Sequence, residues 1–151
     1  MLIPKEEYSK IQAVLPILCV DCLIIYQAKC LLLKRTQEPA KGQYWFPGGR
    51  IFKGELIPTA AIRKAREEVN LECSFERIIS IEETIFTRQG DMQFDIHTVN
   101  VCCQLSVSDI SDIVLDSSHN GYIWATAADI LMLNLHPAVS SPLLKCLNTS
   151  L

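Results

Sequence analysis

The sequence predicts a layered α/β (α+β) domain, with a mixed β-sheet carrying helices on its faces. Three observations lead there. Apolar, strand-like runs at 17–26, 30–35, 73–87 and 93–105 alternate with segments of helical period at 5–14, 58–69 and 137–147. Turn-forming residues punctuate the gaps between them. A length of 151 residues, 49% apolar and 21% charged, suits one ordinary globular unit with a real core. No repeat, linker or low-complexity stretch divides the chain, so residues 1–151 read as a single domain.

The elements follow in order. Residues 5–14 form a short amphipathic helix after Pro4. Strands 17–26 and 30–35 are joined by Gln27-Ala28-Lys29, and the polar stretch Thr36–Tyr44, with Pro39 and Gly42, is a loop. Residues 58–69 are helical, with Pro58 suited to the first turn. The long runs 73–87 and 93–105 make a hairpin around Gln89-Gly90-Asp91. Gly121–Thr126 is a short strand, and 127–133 and 137–147 are the last helices.

Charge and cysteine usage exclude several classes. The net charge is −3 and no basic stripe is present, so nucleic acid is not an expected partner. The longest apolar run, Ile17–Ile25, is interrupted by Asp21 and is too short to span a membrane. The segment MLIPKEEYSK lacks a signal-peptide layout. Seven cysteines, mostly in apolar strand-like runs, read as reduced, buried thiols of a cytoplasmic protein. Cys19 and Cys22 have a metal-like spacing. Inside a strand, however, residues three apart face opposite ways, and no second pair completes a zinc site.

The chemistry concentrates between Pro47 and Leu71, PGGRIFKGELIPTAAIRKAREEVNL: a glycine turn, a carboxylate, then a helix ending in paired carboxylates. At about 100° per residue, Ile62, Ala65 and Val69 share one face of that helix, and Lys64, Glu67 and Glu68 share the opposite side. Arg63 lies beside Glu67. Glycines let the backbone bend and expose its carbonyls, and Mg²⁺ takes oxygen ligands from one or two carboxylates plus substrate phosphates. The layout suits metal-assisted attack on a diphosphate ester.

These residues resemble the Nudix hydrolase family, whose pattern is G-x5-E-x7-R-E-U-x-E-E-x-G-U with U aliphatic. Gly49, Glu55, Arg63, Glu67, Glu68 and Leu71 fall in register. The resemblance implies a Nudix-type α/β/α sandwich and a Mg²⁺ cofactor, with Mn²⁺ as the alternative. It implies Glu68 as principal metal ligand, the Gly48 carbonyl as a second, and Glu67 as a direct or water-mediated contact. Glu55 and Arg63 would brace the loop against the helix. Lys64 replaces a Glu of the pattern and Asn70 replaces its Gly. Asn tolerates the left-handed conformation needed to end a helix, whereas Lys64 removes an anionic ligand and favours a single metal.

Nearly the whole chain is similar to one branch, the GDP-mannose mannosyl hydrolases, which also lack that Glu. Asp21, Arg35, Arg50, His119 and His136 match. The resemblance implies water attack at the anomeric carbon, with GDP leaving intact and His119 as general base on the loop before the last strand. Arg35 and Arg50 would grip the diphosphate, and Arg35, Arg63 and Glu67 would support catalysis. Asp21, Arg35 and Arg50 would contact the nucleotide-sugar, in a homodimer. Asp21 has two open roles: bonding the base or sugar, or capping a loop. Ser118 stands where that branch has a Gln metal ligand, Thr98 where it has a Tyr, and the 84–94 hairpin is shorter. Two alternatives remain: a pyrophosphohydrolase cleaving P–O–P, and a nucleotide-sugar binding module without turnover.

Overall fold

A computed structural model describes residues 2–148; Met1 and residues 149–151 of the expected domain lie outside them. The elements are α1 (Lys5–Val14), β1 (Ile17–Tyr26), β2 (Lys29–Arg35), β3 (Tyr44–Trp45), β4 (Gly48–Arg50), α2 (Ile57–Val69), β5 (Ser74–Phe86), β6 (Ile96–Ser106), β7 (His119–Ala125), α3 (Ala127–Met132) and α4 (Pro137–Asn148). The sheet runs β3-β2-β1-β6-β5, with β4 also paired to β1 and β7 to β2. β1 and β6 are parallel from Ile17↔Thr98 to Ile25↔Ser106, while the other pairs are antiparallel. The sheet is therefore mixed, as expected.

Two cores flank it. On one face Val20, Cys22, Ile24 and Leu31 of the sheet pack against Ala61, Ala65 and Val69 of α2. On the other, Leu23, Leu32 and Cys102 pack against Val139, Leu143 and Cys146 of α4. The alternation of β1 between the two follows from its period of two. All seven cysteines are free, and six of them are buried. Among the described residues, no helix is long and apolar enough to cross a membrane.

Several elements match the sequence reading in detail. The β1–β2 turn places Gln27 and Ala28 at φ 49° and 61°, the backbone of a tight hairpin. The β5–β6 hairpin closes at Phe86↔Ile96. Asn70 ends α2 in the left-handed region, φ 57° and ψ 36°.

Three details differ. β3 and β4 fall where loop and turn were expected, and they exist through pairing: β4 lies against β1 at Cys19↔Arg50, Val20↔Gly49 and Asp21↔Gly48. β7 begins at His119, two residues earlier than expected, so His119 is a strand residue and not a loop residue. The buried stripe of α2 is Ala60, Ala61, Ala65, Glu68 and Val69. Ile62 is only half-buried, because three alanines let the helix approach the sheet closely and bring Glu68 inward with them.

Candidate active site

The site forms where β1 changes partner. β2 pairs with the end of β1 at Ile25↔Cys30, and β4 takes its place at Asp21↔Gly48. A Cβ on Gly48 would collide with the Val20 carbonyl and come within 2.8 Å of Asp21 Oδ1, so only glycine permits this approach. The Gly48 N–H donates to Glu68 Oε2 at 3.0 Å. This bond ties the glycine turn to α2.

Two cationic arms leave adjacent positions of α2. Arg63 donates to both oxygens of Glu55, at 2.7 and 2.8 Å, and to the Arg50 carbonyl at 3.0 Å. Glu55 also accepts the Phe52 N–H at 3.1 Å, and the guanidinium lies 3.8 Å from the Phe52 ring centroid. The Arg63 hydrogen bonds hold the Glu55 carboxyl below its usual range. Lys64 Nζ lies 3.1 Å from Glu68 Oε1 and 3.3 Å from Glu67 Oε2. Burial pulls the Lys64 ammonium down, but Glu68 and Glu67 outweigh it and hold it above its ordinary value. Burial pushes the Glu68 carboxyl up, although Lys64, the Gly48 N–H and His119 oppose the shift.

A cavity of about 190 Å³ opens beside this pair. Asp21, Arg35, Gly48 and Glu68 line its polar end. Trp45 and Phe86, with ring centroids 5.6 Å apart, belong to its apolar wall. Between them runs a polar strip: Thr84 and Thr98 hydroxyls 2.6 Å apart, and Thr98 donating to Asn100 at 2.6 Å. Burial pushes the Asp21 carboxyl up to about 7, while hydrogen bonds to Asn100 and Trp45 and the charge of Arg35 pull against it. Arg35 ends β2 with Nε donating to the Pro39 carbonyl at 2.7 Å.

His119 sits opposite Arg35 in the β2–β7 register. Its side chain is 2% exposed and its Nδ1 lies 2.7 Å from Asp116 Oδ1. In the neutral tautomer that donates Nδ1–H to Asp116, the lone pair is on Nε2. Asp116 was not singled out in the sequence, although a carboxylate three residues before a histidine is a readable signal. The segment that carries it is stitched to the end of α2. The Val114 and Asp116 N–H groups donate to the Val69 and Glu68 carbonyls, at 3.2 and 3.0 Å. Asn70 Nδ2 donates to the Asp112 carbonyl at 3.0 Å.

The structure thus brings Asp21, Arg35, Gly48 and Glu68 together on the cavity wall; Lys64 joins them through its ion pair with Glu68, and His119, nearly fully buried, sits beside Arg35 but outside the lining. Arg50 is placed apart from the cavity wall, over the rings of Phe52 and Tyr8 at 4.8 and 5.5 Å. Glu67 is half exposed and held by Arg63 and Lys64. His97 faces Glu83 at 3.2 Å. His136 starts α4 by accepting the Ala138 N–H at 3.0 Å, and its ring lies 5.2 Å from Trp45.

A family model of the NUDIX domain matches residues 16–145. The chain belongs to the Nudix family. This Nudix chain is 29% identical over 119 residues to the low-salt glycan biosynthesis protein Agl8 of Haloferax volcanii, covering 78% of this chain and 76% of that protein. It is 37% identical over 71 residues to the ADP-ribose pyrophosphatase of Methanocaldococcus jannaschii, covering 46% and 42%. The MutT protein of Methanosarcina mazei superposes with a TM-score of 0.69 at 20% identity, over 89% of this chain and 95% of that one, and shows the same fold.

Nudix hydrolases generally use divalent cations such as Mg²⁺. Among the described residues no three His, Cys, Asp or Glu side chains converge as a ready metal cage. The donor set nevertheless fits one hard cation. Glu67 and Glu68 already point their oxygens at a single positive charge, the Lys64 ammonium, and a hard cation there would take its remaining oxygen ligands from phosphate and water.

Proposed function

We propose that this Nudix chain is a Mg²⁺-dependent hydrolase of a nucleoside-diphosphate sugar resembling GDP-mannose. Water attacks the anomeric carbon, and the nucleoside diphosphate and free sugar are released. One observation carries the choice: both carboxylates of α2, Glu67 and Glu68, are ion-paired to cations, whereas His119 is oriented by Asp116 through Nδ1, an arrangement that suits Nε2 to accept a proton. The general base is therefore on β7, away from the helix.

Glu68, the Gly48 carbonyl and, directly or through water, Glu67 would hold the cation, which neutralises charge on the diphosphate. Arg35 adds a guanidinium at the polar end of the cavity, where it can grip phosphate oxygens. Arg50 would do the same after turning from Phe52. Asp21 bonds a sugar hydroxyl or base edge from the cavity floor. Trp45 and Phe86 offer faces to a planar ring. The attacking water gives its proton to His119 Nε2, and its oxygen bonds to the anomeric carbon. The bond from that carbon to the diphosphate oxygen breaks, and the electron pair leaves with the diphosphate. The glycan-biosynthesis name of the Haloferax volcanii relative supports a sugar-bearing substrate.

Hydrolysis in ¹⁸O-water, read by mass spectrometry, tests this. Label in the sugar is expected; label confined to phosphate would move the reaction to the P–O–P bond. That second reading has its own support in the pyrophosphatase relative and in Glu67, a half-exposed carboxylate one residue before Glu68. The proposal includes a cytoplasmic homodimer, which light scattering of the purified chain checks.

A further inference from the structure

Lys64 is packed as a permanent part of the site. Its side chain is 17% exposed, and its ammonium touches one oxygen each of Glu68 and Glu67. Its stem lies across Gly49, where a Cβ would come within 2.9 Å of Lys64 Cε. The bare glycine thus gives the lysine its berth. A divalent cation held by Glu68 and Glu67 would compete with the ammonium for these carboxylates, and in a partly dry pocket two positive charges repel more strongly than in water. A diphosphate changes that balance, because it offers new anionic partners to a flexible ammonium whose donors rotate freely.

We propose that Lys64 is a tethered counter-cation that occupies the Glu67–Glu68 site in the free protein and yields it to a divalent metal when a nucleoside diphosphate arrives. This rests on the assignment of the metal to Glu68. Metal and diphosphate then tighten each other's binding, and by linkage the effect is equal in both directions. The free protein keeps its carboxylates neutralised and resists adventitious cations.

Mn²⁺ binding at pH 8, followed by the electron paramagnetic resonance of free Mn²⁺, tests this without turnover. In the wild-type chain, saturating GDP should tighten Mn²⁺ by roughly tenfold or more beyond what GDP itself binds in buffer. Lys64→Met and Lys64→Gln should bind Mn²⁺ roughly tenfold more tightly than wild type without GDP, a gap that GDP narrows. Equal affinities without GDP, or a gap that GDP leaves untouched, overturn the proposal. Circular dichroism identifies a variant that fails to fold; the other variant and the wild-type titration then decide. Adding Glu68→Gln to Lys64→Met separates the two levels. If tight binding persists, the metal assignment falls and the Lys64 inference with it. If tight binding is lost while wild type and Lys64→Met were equal, only the Lys64 inference falls.

Discussion

Arg63 and Lys64 leave α2 side by side, reach carboxylates to similar depths, and are built differently. Arg63 meets Glu55 through two short bonds, takes a backbone carbonyl, and lies on an aromatic ring. Lys64 makes one contact with each of two carboxylates, and Glu68 keeps one edge on an open cavity. Side-chain exposure is 20% and 11% in the first pair and 17% and 10% between Lys64 and Glu68, so burial does not separate them. Saturation does. A pair whose donors and acceptors are all satisfied is a brace; a pair with unspent capacity facing a cavity is free to exchange partners.

Substitutions sharpen this contrast. Glu68→Gln removes the carboxylate that faces the cavity, and Mg²⁺-dependent turnover should fall by roughly 10³-fold with folding retained; unchanged rates would sink the metal assignment. His119→Gln should slow hydrolysis by roughly 10²–10⁴-fold at unchanged Mn²⁺ affinity, and a loss under tenfold moves the base elsewhere. Arg63→Ala belongs to the other arm and should show mainly in stability. A loss of about 1–3 kcal/mol is expected from a mostly buried Glu55 that loses its guanidinium and keeps the Phe52 N–H, measured as a fall in Tm of roughly 3–10 °C. If Arg63→Ala leaves Tm unchanged, the distinction between the arms fails. Asn70→Ala should cost about 1 kcal/mol for its left-handed backbone, and Asn70→Gly less, read by urea unfolding.

Asp21 gives a pH test. Its folded-state pKa, about 7, is raised from an ordinary 3.8. Between those values the folded chain holds a proton that the unfolded chain has lost. Stability should therefore decline as pH rises from about 4 to 7 and level off above. Asp21→Asn should remove that decline, as thermal melts across the range would show.

Much of this was readable from residues. The period of α2, a helix long enough to show one, put Lys64, Glu67 and Glu68 on one side, and the resemblance to the Nudix pattern implied the Glu55–Arg63 brace that the structure contains. The strand runs were apolar enough to locate both cores. β3 and β4, two and three residues long, carry no period of their own and exist only through their partners. For the same reason the contact between Gly48 and β1, which creates the cavity, left no local trace. Helical geometry placed Lys64 beside Glu67 and Glu68, but its berth over Gly49 depends on the turn, fifteen positions earlier in the chain.

The stitching of residues 112–116 to the end of α2 has a mechanical consequence. Three hydrogen bonds lock the carrier of His119 to the helix that bears Glu68. The two groups are thereby held in one register, each fixed relative to the end of α2. Across the cavity, the 36–43 loop is tied to this side at its start, where Thr36 donates to the Ser118 and Ser117 carbonyls at 2.9 and 3.2 Å, and Gln89 of the β5–β6 connection reaches Glu38 at 3.5 Å. Amide exchange should show the two sides at different tempos, slow at Val114 and Asp116 and fast around Gln89.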